Sequence, residues 1–123
     1  MRRKLCVVLT VLALLAPLVG SSAEAASTKG GASPEAAAKA VYRAWRYHDR
    51  ASALRVATAA PVKKLFRTRA SGPRWTFQGC VEKDEPDPHF DCAYRYEGGA
   101  AIMAVSDSDA FGWFVTKLTF IAD

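Results

Sequence analysis

"RWTFQGCVEKDEPDPHFDCAYRYE", residues 74–97, decides how this chain folds. Its two flanks alternate. Trp75, Phe77, Gly79 and Val81 share one side of the first run, and Phe90, Cys92, Tyr94 and Tyr96 share one side of the second. A period of two is the mark of a half-buried strand. Between them Glu82, Asp84, Glu85 and Asp87 mix with Pro86 and Pro88, which reads as a solvated loop. The stretch therefore predicts an antiparallel hairpin. Simple alternation puts Cys80 with Thr76 and Gln78, whereas Cys92 falls with the aromatics. Bonded cysteines on neighbouring strands share a face. The mismatch predicts a β-bulge at Gly79 that rephases the strand, or a Cys80 that already belongs to the loop.

Whether those cysteines bond depends on the compartment. Arg2, Arg3 and Lys4 precede an apolar run from Leu5 to Val19, and Ala23-Glu24-Ala25 fits a small-x-small cleavage site. This is the pattern of a secretory signal peptide over residues 1–25, cut after Ala25, and it predicts a secreted or extracytoplasmic protein. The run is shorter than the roughly 20 apolar residues of a spanning helix, so no membrane span is expected after cleavage. Cys6 leaves with the signal. Cys80 and Cys92 remain, and an even pair in a small exported domain reads as a disulfide. Residues 26–33, "ASTKGGAS", are small and polar and read as a flexible leader. Residues 34–123 then form one domain, large enough for a single modest core.

N-terminal to the hairpin the period changes to that of a helix. Ser33 is a good N-cap, Pro34 suits the first helical position, and Ala38, Val41, Trp45 and His48 recur on one face up to about His48. Asp49 is placed to cap a short second helix, with Leu54 and Val56 turned inward. Pro61 opens a third helix, with Val62, Leu65 and Phe66 apolar. C-terminal to the hairpin, Gly98-Gly99 signals a turn into "AAIMAVS". The last run, "FGWFVTKLTFIA", places Phe114, Leu118 and Phe120 on one face. Helices followed by four consecutive strands define the α+β class: an antiparallel meander with helices packed on one face.

Two segments carry a family resemblance. "AAAKAVYRAWRYHDRASALRVAT", residues 36–58, resembles the opening of nuclear-transport-factor-2-like domains, where an alanine-rich helix with a late aromatic meets an acidic residue, here Asp49, before a short helix. "GWFVTKLTFI", residues 112–121, is similar to that superfamily's last strand. The resemblance implies a cone-like fold with helices on a curved sheet. It departs in one respect: the usual members place a strand pair before the third helix, and none is read here. The superfamily spans isomerases, dehydratases and binding modules without chemistry, so the resemblance does not choose among them.

Several clusters invite a functional reading. The acidic loop offers oxygen ligands for a hard cation, but it lacks the regular ligand spacing and turn glycine of calcium loops. A zinc site would need the thiolates that a disulfide consumes. A solvated loop stapled by Cys80 and Cys92 is the leading reading, with no metal and no cofactor expected. His89 and Asp91 project to the same side of a strand and are within reach of each other, an acid/base pair that stands beside the plainer reading of His89 as a loop residue, and no catalytic residue is assigned. Charge is divided along the chain. Residues 26–79 carry eleven Lys or Arg against Glu35 and Asp49, while residues 80–123 carry three against nine acidic residues. Lys39, Arg43, Arg46 and Arg50 recur along the first helix, and Lys63, Lys64 and Arg67 extend the basic half, followed by Arg69 and Arg74.

These readings converge on a small secreted, non-catalytic binding or accessory domain. Two candidate ligand sites are read, each beside a plainer alternative: a helix–sheet cleft lined by Trp45, Phe77, Tyr94, Met103 and Phe114, for a small apolar ligand or simply filled as core, and a polyanion patch of Lys39, Arg43, Arg46, Arg50, Lys63, Lys64 and Arg67, for an anionic envelope polymer or simply a solvated basic face. Nucleic acid is not expected, given export and the lack of a reading motif. The rivals are an isomerase- or dehydratase-like enzyme using Asp91 or His89 as base in that cleft, and an inhibitor-like protein acting through its surface.

Overall fold

The computed structural model describes residues 29–122, so the expected signal peptide lies outside the described residues. The element order is α1 (Pro34–Arg46), α2 (Arg50–Ala53), α3 (Ala59–Phe66), β1 (Thr76–Lys83), β2 (His89–Tyr96), β3 (Gly99–Asp107) and β4 (Trp113–Ala122). The four strands form one antiparallel sheet in the order β1-β2-β3-β4, the expected meander with helices packed against it. Among the described residues no helix is long and apolar enough to cross a membrane.

The start of α1 follows its sequence signals. The Ser33 side chain accepts from Ala36 N at 3.1 Å and Pro34 opens the helix. Its end departs from the expected stripe. The helix stops at Arg46, and His48 adopts a left-handed conformation with φ of 58°. His48 N donates to Trp45 O at 3.0 Å and Asp49 N donates to Ala44 O at 2.8 Å, a Schellman closure with histidine in the usual glycine position. His48 thus turns out to solvent rather than inward. Asp49 is then free to cap α2, accepting from Ser52 N at 3.1 Å. Leu54 also departs from expectation: α2 ends at Ala53, which is buried, and the turn carries Leu54 outward to 42% exposure. The third helix begins at Ala59, so Pro61 sits within the first turn, where its missing N–H costs nothing.

The bulge expected at Gly79 is present. The β1–β2 register shifts between Phe77 and Gly79, and Gly79 takes a φ of 103°. This turns Cys80 directly opposite Cys92, and the two form a disulfide. A second register shift, between Ala104 and Val105, has no warning in the sequence. It splits β4 into two phases: Val115 faces the helices on one side of it, Leu118 on the other, and Phe114 pairs with Ser106 on the outer face.

The leader is a further correction, because its end is docked. Gly30 N donates to Arg55 O at 2.7 Å, and Gly31 exchanges hydrogen bonds with Trp113 of 2.8 and 3.0 Å. Val56 and Thr58 flank Val115 in a parallel bridge centred on Ala57. Both segments cover the start of β4, which would otherwise be an open sheet edge. The close approach requires glycine: a Cβ on Gly31 would lie 2.7 Å from Ala37 N. Gly31→Ala is expected to lower the unfolding free energy by about 1–3 kcal/mol. An unchanged urea midpoint would show that this segment does not dock.

The core lies between the helices and the inner sheet face. Trp45, Val41, Val62, Leu65, Met103, Val105 and Val115 are each at most 2% exposed. Beside them an aromatic wall joins α1 to β1 and β2. Tyr42 stacks on Tyr94 at 4.5 Å, Trp45 packs on Trp75 at 4.5 Å, and Trp75 packs on Tyr96 at 4.7 Å.

Candidate functional site

Two residues of the aromatic wall, Tyr42 and Tyr94, line a groove. Lys39, Arg43 and Arg46 stand four and three residues apart, so α1 presents them along one face. Arg74, from the link before β1, and Tyr94, from β2, close the other side, and Tyr42 and Tyr47 complete a depression of about 390 Å³. Tyr42 holds the floor in place: its hydroxyl accepts from Trp75 N at 2.8 Å while its ring stacks on Tyr94. Lys39 pairs with Glu35 at 2.8 Å in an exposed i,i+4 bridge and lies 4.9 Å above the Phe77 ring. Arg46 donates through Nη2 to Gly72 O at 3.3 Å, tying the loop that carries Arg74 to the helix. Its Nη1 is buried without a hydrogen-bond partner.

Burial pushes the Tyr94 hydroxyl above its ordinary value of 10.0, and the neighbouring Tyr42 and Glu35 push in the same direction. In the unfolded chain this tyrosine ionises near its ordinary value, while in the folded chain it stays neutral. Its contribution to stability is therefore complete below about pH 10 and declines as pH rises beyond that. Tyr94→Phe keeps the ring and removes the proton. Its thermal stability is expected to fall less than that of the parent between about pH 9 and about pH 11. Parallel losses in both proteins would show that Tyr94 does not resist ionisation.

A second depression, of about 460 Å³, lies on the other side of the Arg43–Tyr47 ridge and shares Lys39, Arg43 and Tyr47 with the first. Its far end is Asp49 and Ser52. Asp49 accepts from Ser52 Oγ at 2.6 Å and from Ser52 N, and these bonds hold its carboxyl below the usual carboxylate value.

The structure divides the polyanion patch read from the sequence. Lys39, Arg43 and Arg46 meet at the groove. Arg50 lies 5.1 Å above the Phe66 ring, and Lys64 donates to Leu118 O at 2.9 Å. Arg67 lines a separate depression of about 300 Å³ with His48 and Phe66. Lys63 is exposed on α3. Arg74, the last residue of the basic half read from the sequence, does join the groove, together with Tyr42 and Tyr47, which that reading did not include. Helical spacing finds the α1 residues, but nothing in a linear pattern brings Arg74 beside them.

The expected apolar cleft is filled. Trp45, Tyr94 and Met103 are 2%, 3% and 0% exposed, Phe77 packs on Tyr94 at 5.1 Å, and Phe114 lies on the outer face. Trp45, Phe77, Tyr94 and Met103 form core and wall rather than an opening, and Phe114 is not among them. His89 and Asp91 do meet, with Nε2 and Oδ1 3.1 Å apart, and His89 Nδ1 lies 2.6 Å from Asp87 O. They do so beside Lys117 and Ile121 in a depression on the outer sheet face, not in the helix–sheet cleft where the enzyme reading needed a base. Among the described residues no group of three or more His, Cys, Asp or Glu is arranged to hold a metal ion. Comparison with protein-family models, with curated proteins and with solved structures finds no match to this chain.

Proposed function

We propose that this protein is a small exported domain that binds an anionic envelope polymer through the groove over α1, and that it works by binding rather than by catalysis. One observation carries the reading. Four cations from two separate segments, Lys39, Arg43 and Arg46 from α1 and Arg74 from the β1 approach, converge on one tyrosine-floored depression. Solvated charges generally spread over a surface, whereas converging charges build a local positive potential that attracts and holds an anion. A small apolar ligand has less support, because Trp45, Tyr94 and Met103 are buried in the core and Phe114 lies on the opposite sheet face. The export reading rests on the N-terminal pattern, and the Cys80–Cys92 bridge suits an oxidising compartment. Kinship with nuclear-transport-factor-2-like domains belongs to the same proposal. Helices on a four-stranded meander support it, and a single parallel bridge at Ala57 stands where that superfamily usually has a strand pair.

Charge reversal tests the reading. Arg43 and Arg74 are both exposed, so Arg43→Glu with Arg74→Glu should leave the fold intact. Binding of a labelled polyanion, either polyphosphate or polygalacturonate, is expected to weaken steeply with salt. The double variant is expected to lose about tenfold or more in affinity at low ionic strength. Equal affinity in parent and variant would remove the groove from any role in polyanion binding.

A further inference from the structure

We infer that the polymer is an acidic polysaccharide, a chain carrying both carboxylates and hydroxyls, and that it lies across the Arg43–Tyr47 ridge; this rests on the groove being the binding site. Three observations favour it. The two depressions, of about 390 and 460 Å³, share Lys39, Arg43 and Tyr47, so they form one saddle. A compact anion would occupy only one side of it, whereas a chain reaches both.

The two sides also differ in chemistry. The first is cationic. The second ends at Asp49, whose carboxylate is held ionised by Ser52. A polyphosphate crossing the ridge would bring negative charge against Asp49. A uronate chain brings hydroxyl groups, which donate to that carboxylate, while its own carboxylates face the arginines. Finally, Tyr47 at the end of α1 is 72% exposed. It offers a flat apolar ring with a polar tip at the crest of the saddle, suited to the C–H face of a sugar ring. A phosphate gains nothing from such a surface.

The test compares oligogalacturonates of increasing length with polyphosphate by titration calorimetry at low ionic strength, using the parent protein, Tyr47→Ala and Asp49→Asn. Asparagine caps a helix as well as aspartate does, so the second variant removes the charge and keeps the cap. Uronate affinity is expected to rise with oligomer length and to fall roughly three- to tenfold in Tyr47→Ala, with polyphosphate binding unchanged. Asp49→Asn is expected to weaken uronate binding and to tighten polyphosphate binding. If polyphosphate binds at least as tightly as uronate and neither variant discriminates, the polysaccharide assignment fails and a general polyanion groove remains. Uronate monomers that bind as well as long oligomers would overturn the crossing of the ridge. If neither polymer binds, the groove reading fails with it.

Discussion

Trp45→Ala is expected to lower the unfolding free energy by about 3–5 kcal/mol, the range for deleting a fully buried large aromatic. Trp45 is 2% exposed, packs on Trp75 at 4.5 Å, and donates from Nε1 to Thr68 O at 2.9 Å, which ties α1 to the turn after α3. The cavity left behind would adjoin the aromatic wall, whose Trp75 N–H positions Tyr42 in the groove floor. Polymer binding by the surviving folded protein should therefore weaken as well. Trp45→Phe separates the contributions: it retains much of the packing and loses the bond to Thr68, a loss of about 1 kcal/mol. Urea unfolding of the three proteins decides the matter. A loss below about 1 kcal/mol in the alanine variant would mean that α1 does not pack on the sheet as described.

The second large effect concerns the bridge between β1 and β2. Cys80 and Cys92 are twelve residues apart in sequence. Closing a loop of that size restricts the unfolded chain by about 3 kcal/mol in the chain-entropy model. The joint change Cys80→Ser and Cys92→Ser is expected to cost about that much. Buried at 0% exposure, Cys92 would become a serine whose hydroxyl has to be desolvated, so Cys92→Ala is the cleaner partner for Cys80→Ser. Unfolding with and without a reducing agent provides the same comparison in the parent protein. A reductant-insensitive midpoint would contradict the role of the bridge. Groove binding should survive in the folded fraction of the variant, because the groove is built from α1, the β1 approach and Tyr94 rather than from the 84–88 loop.

Much of this architecture is legible in the chain because each element carries a local signal. Ser33-Pro34 announces α1, the alternation of Phe90, Cys92, Tyr94 and Tyr96 announces β2, and Gly98-Gly99 announces the next turn. The mismatch of faces between Cys80 and Cys92 is also legible, as a bulge at Gly79 or a Cys80 in the loop, and the register shift between Phe77 and Gly79 is the first of these. The failures occur where tertiary contacts override local pattern. His48 continues the apolar spacing of α1, but two backbone hydrogen bonds to Trp45 and Ala44 close the helix before it. Phe114 keeps step with Leu118 and Phe120 in sequence, but the shift at Ala104 and Val105 sends it to the opposite face. Gly30 and Gly31 look like linker residues, and they are glycines because backbone from Phe111 and Ala37 comes too close for a side chain. The groove was half legible for the same reason. Helical spacing aligns Lys39, Arg43 and Arg46, whereas Arg74 joins them only through the path of the chain between α3 and β1.

The most direct test of the central claim is a map of where an anionic polymer touches the protein. Amide chemical shifts of the isotope-labelled protein would be followed during titration with oligogalacturonate at low ionic strength. The predicted result is a contiguous set of perturbations from Lys39 in α1 to Asp49 at the cap of α2, in the 72–75 segment and around Tyr94, fading as salt is added. Perturbations confined to the outer sheet face around His89, Asp91 and Lys117, or no perturbation at all, would contradict it.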